Sequence, residues 1–359
     1  MRIAIVGVGL IGGSIGLAAR ERLGAQVGGW SRSAATLDRA LELGVLDRAG
    51  SSLADAVADA EAVFVAAPVG VLPEVIGEVL AAAPEDCVVT DVGSTKRSVA
   101  TAIADPRFVG GHPLAGAETT GVEHARADLF QDATWYLTPT RGATGTLFER
   151  LHRLIKDLGA RPTTIDAATH DTMLATVSHL PHVFANVLVA QAAHALAEEG
   201  EDSEQLPATG PSFRDATRVA GANSAIWTDI YLSNRDALVA QVDEAIRRLS
   251  AVRDALERAD VDAVTDWNDG AAADRRRLLE AQLAGGPLHE LRVSVPNEPG
   301  VVATLALELG KAGVNITDMA LYPAPDHSEG VVAFWIAGDV PADRALALVE
   351  QQGFPVARA

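Results

Sequence analysis

Near the start of the chain, Arg2-Ile3-Ala4-Ile5-Val6-Gly7-Val8-Gly9-Leu10-Ile11-Gly12 joins an apolar run to three closely spaced glycines. Residues 2–6 have the composition of a short buried strand, and the glycines lead at once into an apolar helix that runs to about Arg22. In that setting each glycine has a mechanical role, in that Gly7 makes the tight turn, Gly9 leaves room for a pyrophosphate, and Gly12 lets helix and strand pack closely. Unpaired amides at the helix start, on Leu10, Ile11 and Gly12, suit the phosphates of a dinucleotide. Without a nucleotide the same run is only a tight strand-to-helix turn.

Working outward, the chain has 359 residues, which suits two or three domains, and 48% of them are apolar, enough for substantial cores. No stretch of eighteen continuously apolar residues occurs, and Met1-Arg2 runs into the first strand without a signal-peptide pattern. The expectation is a cytoplasmic protein that does not engage a membrane. A formal charge of −19 argues against broad nucleic-acid or anionic-membrane binding, so an anionic substrate needs locally placed basic groups. The single cysteine, Cys87, can form no intrachain disulfide and reads as a small buried hydrophobe.

Residues 25–30 read as a second parallel strand. Where a site preferring NAD carries an acid for the ribose hydroxyl, this chain has Ser31 with Arg32 beside it. A hydroxyl and a guanidinium suit a 2′-phosphate, so the choice between NAD and NADP leans to NADP; alternatively Arg32 stacks on adenine or lies in solvent. Further strands are expected at 62–67 and 87–91, with a helix at 69–80. The second of these strands ends in Asp91-Val92-Gly93-Ser94-Thr95-Lys96, which places Ser94 and Lys96 toward the cofactor crevice unless the stretch is merely a serine-capped helix start. A strand at 107–109 leads into Gly110-Gly111-His112-Pro113-Leu114-Ala115-Gly116, a setting that exposes and fixes His112 beside the same crevice. Residues 117–131, with Glu118, read as a loop able to fold over a substrate. Elements at 135–138, 144–158 and 161–165 complete an alternating α/β unit.

Beyond residue 165 the pattern is helical. The long apolar run at 170–198 is interrupted by Ser178-His179-Leu180-Pro181-His182, where Pro181 bends the helix and the two histidines share a face. No carboxylate or cysteine completes a metal set there, and substrate binding is the preferred reading, with no metal expected. Arg218 lies among small residues of a helix that reads as buried, and such an arginine pairs with a carboxylate of the protein or of a ligand. Residues 249–252 read as core, and 257–270 show neither helix nor strand. Gly285-Gly286-Pro287 marks a linker before a β-α-β-β-α unit with a possible last strand at 354–358, which by itself reads as a dimerisation module. The expected architecture is α/β: a Rossmann-type dinucleotide-binding domain over 1–165, an all-helical substrate and dimerisation domain over 166–284, and an α+β, ferredoxin-like domain over 289–359.

Taken together, residues 7–13, Asp91 to Lys96, Gly110 to Gly116, Ser178 to His182 and Asp215-Ala216-Thr217-Arg218 closely resemble the prephenate and arogenate dehydrogenase family of tyrosine biosynthesis. The tail, through Asn297-Glu298-Pro299-Gly300 and Gly313-Val314-Asn315-Ile316, resembles an ACT domain. The resemblance implies that His112 accepts the ring-hydroxyl proton as hydride leaves the same carbon, that Ser94 helps hold that hydroxyl, and that Arg218 grips a substrate carboxylate. It implies that His182 and His179 line the pocket, that Glu118 belongs to an ionic gate, and that the helical domain forms a homodimer. It further implies tyrosine or phenylalanine as an effector near Asn297, Gly300, Asn315 and Ile316. Prephenate and arogenate are not separated by these motifs. Two rivals remain. A β-hydroxyacid dehydrogenase relies on a lysine in its helical domain, and residues 166–288 contain none. A non-catalytic amino-acid sensor would bind ligand without turnover, yet it has no need of a proton acceptor and a carboxylate anchor together.

Overall fold

Strand β1 (Arg2–Val6) turns Ile3 and Ile5 into one core and Ala4 and Val6 into another. A strand covered on both faces is apolar throughout, which is why the opening run shows no alternation. The computed structural model describes residues 1–116, 119–140, 142–198, 210–280, 286–324 and 328–358, and the chain divides into two units, Met1–Ala245 and Ile246–Ala359.

In the first unit, β1 is followed by α1 (Leu10–Leu23), β2 (Gln26–Trp30), α2 (Ala34–Glu42), β3 (Arg48–Ala49), α3 (Leu53–Val57) and β4 (Ala62–Val65). Next come α4 (Leu72–Ala82), β5 (Val88–Asp91), α5 (Arg97–Ala102), β6 (Phe108–Pro113), β7 (Thr134–Pro139), α6 (Gly145–Asp157) and β8 (Arg161–Thr164). They build one eight-stranded sheet in the order β3-β2-β1-β4-β5-β6-β7-β8, parallel except that β7 runs against β6. The short β3 and α3 carry no clear periodicity, so the sequence pattern does not announce them. The strand order reverses between β1 and β4, and the crevice beyond those two carboxyl ends is where such sheets bind ligands. Cys87 is fully buried, and burial pushes its thiol up to about 12.

Gly7 adopts φ +97°, and its amide donates to the Trp30 carbonyl at 2.9 Å, closing the turn. A Cβ there would overlap the Ala66 carbonyl oxygen, and one on Gly12 would overlap the Gly7 carbonyl oxygen. These are the turn and the close packing expected of the two glycines.

The helical part begins with α7 (Ala167–Leu174), capped by the Asp166 side chain, and continues through a π turn at Ala175–His179 into α8 (Leu180–Glu198). The π turn stands where a bend was expected: Pro181 has no amide to give, and the preceding Leu180 amide reaches back to the Ala175 carbonyl, five residues away. Then follow α9 (Pro211–Thr217), α10 (Ser224–Ser233), α11 (Arg235–Glu257), which runs on into the second unit, and α12 (Val261–Glu280). The structure corrects three expectations. Leu249 is 56% exposed in the single chain rather than core. The indistinct stretch 257–270 is mostly helix, beginning at Val261 after a turn at Ala259 (φ +50°). Arg218 lies not in a buried helix but exposed, on a single 3-10 turn, Arg218–Gly221.

The second unit ends in β9 (Leu288–Pro296), α13 (Val301–Lys311), β10 (Ile316–Pro323), β11 (Glu329–Ala337), α14 (Asp339–Gln351) and β12 (Val356–Arg358). The four strands form an antiparallel sheet in the order β10-β11-β9-β12, and Leu291, Val293, Phe334 and Ile336 meet Leu305, Leu309 and Val349 in its core. Among the described residues one helical run, Ala167–His194, has the length and apolarity to cross a membrane. It carries four buried polar residues, His170, Asp171, His179 and His182, while Val177, Val187, Leu188 and Val189 are exposed in the single chain.

Replacing Gly7 by Ala should cost about 1–3 kcal/mol in backbone strain before the overlap with Ala66 is counted. Thermal unfolding should show a lowered Tm, and dinucleotide titration a loss of binding; an unchanged Tm would contradict the turn described.

Candidate active site

The crevice at the sheet's switch point holds two adjoining cavities. One, of about 500 Å³, is lined by Gly7, Gly9, Ser31, Arg32 and Thr36; the other, of about 400 Å³, by Gly9 to Gly12, Ser94, Ala115 and Gly116. They share Gly9, Gly121 and the segment 66–68 after β4. These residues fit a dinucleotide. Gly9 has no side chain and nothing within 4 Å of where one would stand, and the α1 N-terminus receives no side-chain cap, so its amides remain for phosphates. Glu74, Glu78 and Glu123 also border the cavity that holds Arg32. A separate cavity near Arg2, Arg48 and Asp59 contains none of the glycine turn.

His112 is not on a loop past the strand, as its flanking glycines suggested. β6 continues through Pro113, pairs His112 with Tyr136 of β7, and leaves the histidine only 8% exposed. The glycines permit this approach: a Cβ on Gly111 would overlap the Asp91 carbonyl. Asp91 organises the junction, since its carboxylate accepts the Gly93 amide at 2.8 Å and the Gly111 amide at 3.1 Å, and pairs with the Lys96 ammonium. Lys96 therefore does not face the crevice; it is fully buried beneath it, and burial draws its ammonium below the usual lysine range against the pull of Asp91. Ser94, on the same loop, does line the cavity.

Beneath His112 lies a group that sequence reasoning missed. His112 Nδ1 is 2.9 Å from His170 Nε2, and His170 Nδ1 is 2.8 Å from Asp171 Oδ1. The Asp171 carboxylate also accepts the Lys96 and Arg97 amides at 2.7 and 2.9 Å, supplying from α7 the cap that α5 lacks. Asn234, between α10 and α11, donates to the Asp171 carbonyl at 2.7 Å and contacts His179 Nδ1 at 3.2 Å. Burial holds His112 well below its usual pKa, reinforced by His170, Lys96 and His179. It also draws His179 down to about 4, with Asp171 opposing. Both rings are neutral at pH 7.

His182 stacks flat on Trp227 at 3.6 Å, and its Nδ1 meets the Tyr231 hydroxyl and, at 3.3 Å, the Asn186 amide. Burial lowers its pKa. The Val219 carbonyl favours the protonated ring but does not reach hydrogen-bond geometry, and Nε2 is left buried without a partner. The turn carrying Arg218 packs against α8. His179 is electrostatically close to both His112 and His182, and the turn carrying Arg218 packs beside the helix of His182; none of the four is among the residues lining the two cavities. Glu118 lies outside the described residues. In the second unit Gly300, at φ +92°, opens α13, while Asn297 and Asn315 are exposed and Ile316 is half-buried at the start of β10.

Trp227, Tyr231, His170, Asp171 and Asn234 gave no sequence signal of their own. His170-Asp171 reads only as the first turn of a capped helix, and Asn234 as a break between two helices.

The family model described as "Prephenate dehydrogenase, nucleotide-binding domain" matches residues 15–164, and "Prephenate dehydrogenase, dimerization domain" matches residues 166–268. The prephenate dehydrogenase of Bacillus subtilis (strain 168) is 32% identical over 362 residues, taking in 97% of this chain and 95% of the relative. Among solved structures, prephenate dehydrogenase from A. aeolicus in complex with hydroxyphenyl propionate and NAD+ is similar at TM-score 0.70 and 26% identity, over 77% of this chain and 98% of that one. Synechocystis arogenate dehydrogenase is similar at TM-score 0.66 and 27% identity, over 77% and 100%.

Because His112 and His179 bind protons less readily folded than unfolded, the unfolded chain takes up protons first as the pH falls. The contribution of His179 to stability should be complete above about pH 6.5 and be lost toward about pH 4, and that of His112 should be lost in the same direction as the pH falls. Denaturant midpoints measured across that window should fall, and His179→Asn should flatten the decline.

Proposed function

Because this chain belongs to the prephenate dehydrogenase family and is an NAD(P)-dependent oxidoreductase of the prephenate and arogenate branch of tyrosine biosynthesis, we propose that its substrate is prephenate, decarboxylated oxidatively to 4-hydroxyphenylpyruvate in the cytoplasm. The observation that carries the reading is His112: buried, neutral, with Nδ1 engaged and no hydrogen bond to Nε2 among the described residues, three residues before the cavity wall at Ala115.

When bound, the nicotinamide supplies the acceptor for the hydride lost from the carbon that bears the ring hydroxyl. That loss requires a base, because the hydroxyl proton is not acidic, and a neutral imidazole meets the need. His112 takes the proton at Nε2 while Ser94 holds the oxygen. The ring ketone then accepts the electrons released as the ring carboxylate leaves as carbon dioxide, and aromatisation makes the step irreversible. Arg218 remains protonated throughout and so can only position and compensate a substrate carboxylate. His179 and His182 line the pocket, and Glu118 gates it.

Prephenate is favoured over arogenate by what surrounds His182. Trp227, Tyr231 and Asn186, the groups in contact with His182, bring no carboxylate to pair an ammonium there, while Asp229 on α10 lines the neighbouring cavity and accepts the Gly70 amide at 2.8 Å. The orphaned His182 Nε2 suits an oxygen of the substrate side chain. Ser31 and Arg32 favour NADP, although the neighbouring Glu74, Glu78 and Glu123 make that preference a modest one. The functional segments are 1–165, 166–284 and 289–359. Exposed Ile246, Leu249 and Leu256 on α11 suit a homodimer through the helical segment, and residues 289–359 bind tyrosine or phenylalanine near Asn297, Gly300, Asn315 and Ile316.

Steady-state kinetics with prephenate and arogenate, each with NAD and NADP, should give kcat/KM for prephenate at least about tenfold higher, and an inverted ratio would transfer the assignment to arogenate. His112→Asn should lower kcat by about 10²–10⁴-fold, whereas Arg218→Ala should act mainly on KM.

A further inference from the structure

We propose that His170 and Asp171 form a proton relay behind His112, which sets the tautomer of that base and receives its charge during turnover. The inference rests on His112 being the base, and His170 and Asp171 are positioning residues rather than groups that touch the substrate.

The hydrogen bonds leave one consistent assignment of protons. Asp171 is an acceptor only: its oxygens take the Lys96 amide at 2.7 Å and the Arg97 amide at 2.9 Å, and the Arg97 guanidinium lies 3.6 Å away. Burial pushes its carboxyl up, but hydrogen bonds from His170, Arg97 and Lys96 together hold it below the usual carboxylate range. The His170 nitrogen facing it, Nδ1 at 2.8 Å, therefore carries the proton. His170 Nε2 is then the lone pair, so His112 Nδ1, 2.9 Å away, must be the N–H donor. His112 Nε2 is left with its lone pair outward, which is the form that a base requires. Were Asp171 absent, either tautomer of His170 would serve and half of the constraint on His112 would vanish.

The pair is sealed. His170 and Asp171 have no exposed surface, and Tyr136 closes over His170 edge-on with ring centroids 5.5 Å apart. The other ionisable groups facing this pocket are the Lys96–Asp91 ion pair below β6, His179 on the π turn and Arg97 at the start of α5. The ion pair compensates itself, Arg97 shares Asp171, and His179 meets Asn234 at 3.2 Å through Nδ1 while burial draws it down to about 4, so none of these accepts a proton in place of His170.

In the relay the substrate O–H bond breaks and a bond forms from its proton to His112 Nε2. The proton on His112 Nδ1 moves to His170 Nε2, so His112 ends neutral. The positive charge rests on His170, whose Nδ1–H points at the ionised Asp171. Product release lets the proton return along the same path to solvent. A site that would otherwise hold an imidazolium in a buried pocket, beside Lys96, holds it instead against a carboxylate.

The test is a proton inventory on the wild-type enzyme in mixtures of light and heavy water, together with kcat–pH profiles of His170→Asn and Asp171→Asn. The relay predicts a curved inventory from two moving protons, kcat lowered about 100-fold in His170→Asn with KM for prephenate nearly unchanged, and an acid limb shifted about one unit to lower pH. Asp171→Asn should shift the limb in the same direction. If His170 acted only as packing or as a repelling neighbour, its removal would leave the limb in place or move it to higher pH. That result, or a linear wild-type inventory, overturns the relay, and the inventory needs no variant to fold. Loss of turnover in His112→Asn alongside an unaffected His170→Asn would remove the relay and keep the base; turnover surviving in His112→Asn would remove both.

Discussion

A carboxylate taken out of water carries a desolvation penalty of several kcal/mol, and the Asp171 carboxylate has no exposed surface. It is tolerated because two backbone amides at the start of α5 and one imidazole satisfy it. Meeting that requirement forces α7, the first helix after the sheet, against the loop that follows β5. Ser94 lies on that loop, and His170 is carried on the same helix turn as Asp171, so one satisfied charge brings the helical part and the sheet to a common site. Asn234 repeats the arrangement from the α10–α11 junction by bonding both the Asp171 carbonyl and His179, and Ser233 meets Thr95 at 2.9 Å.

A second buried charge supports the other side. Lys96 and Asp91 are each fully buried, and Asp91 also holds the Gly93 and Gly111 amides. β5 and β6 pair only at Val89 with Phe108 and at Thr90 with Val109. Past that point the Asp91 side chain replaces the missing ladder bonds, and β6 is free to pair with β7 and carry His112 to the edge of the crevice. The glycine turn of the cofactor end follows β1, Asp91 ends β5 with only β4 between them in the sheet, and Asp171 reaches the loop after β5 from α7.

The elements that could be read in advance were those whose cause is local. Strand β1, the turn at Gly7 and helix α1 follow from apolar runs and missing side chains within a dozen residues, and the antiparallel tail follows from alternation at Leu291, Val293 and Val295. Pro181 announced a break, though not that a π turn would absorb it. Sequence distance concealed the rest. His112 read as exposed because glycines commonly mark loops, whereas here they let a strand pass close to Asp91 and Thr138. Lys96 read as facing a ligand because it follows the carboxyl end of a parallel strand, whereas its pairing with Asp91 draws it beneath the crevice. Arg218 read as buried because its neighbours are small, while α9, which leads into its turn, packs on α8 without burying any of its own residues in the single chain.

By itself the amino-acid sequence determined a dinucleotide fold, a helical middle, an antiparallel tail and the residue types of the site, since strand period, helix period and glycine sterics act over a few bonds. Only the tertiary structure decided that His112 is buried, that His170 lies 58 residues along the chain yet 2.9 Å away, and that Asp171 caps amides 75 residues before it. Those pairings arise because buried charges and imidazoles must find partners wherever the packed chain supplies them, and no local pattern encodes where that will be.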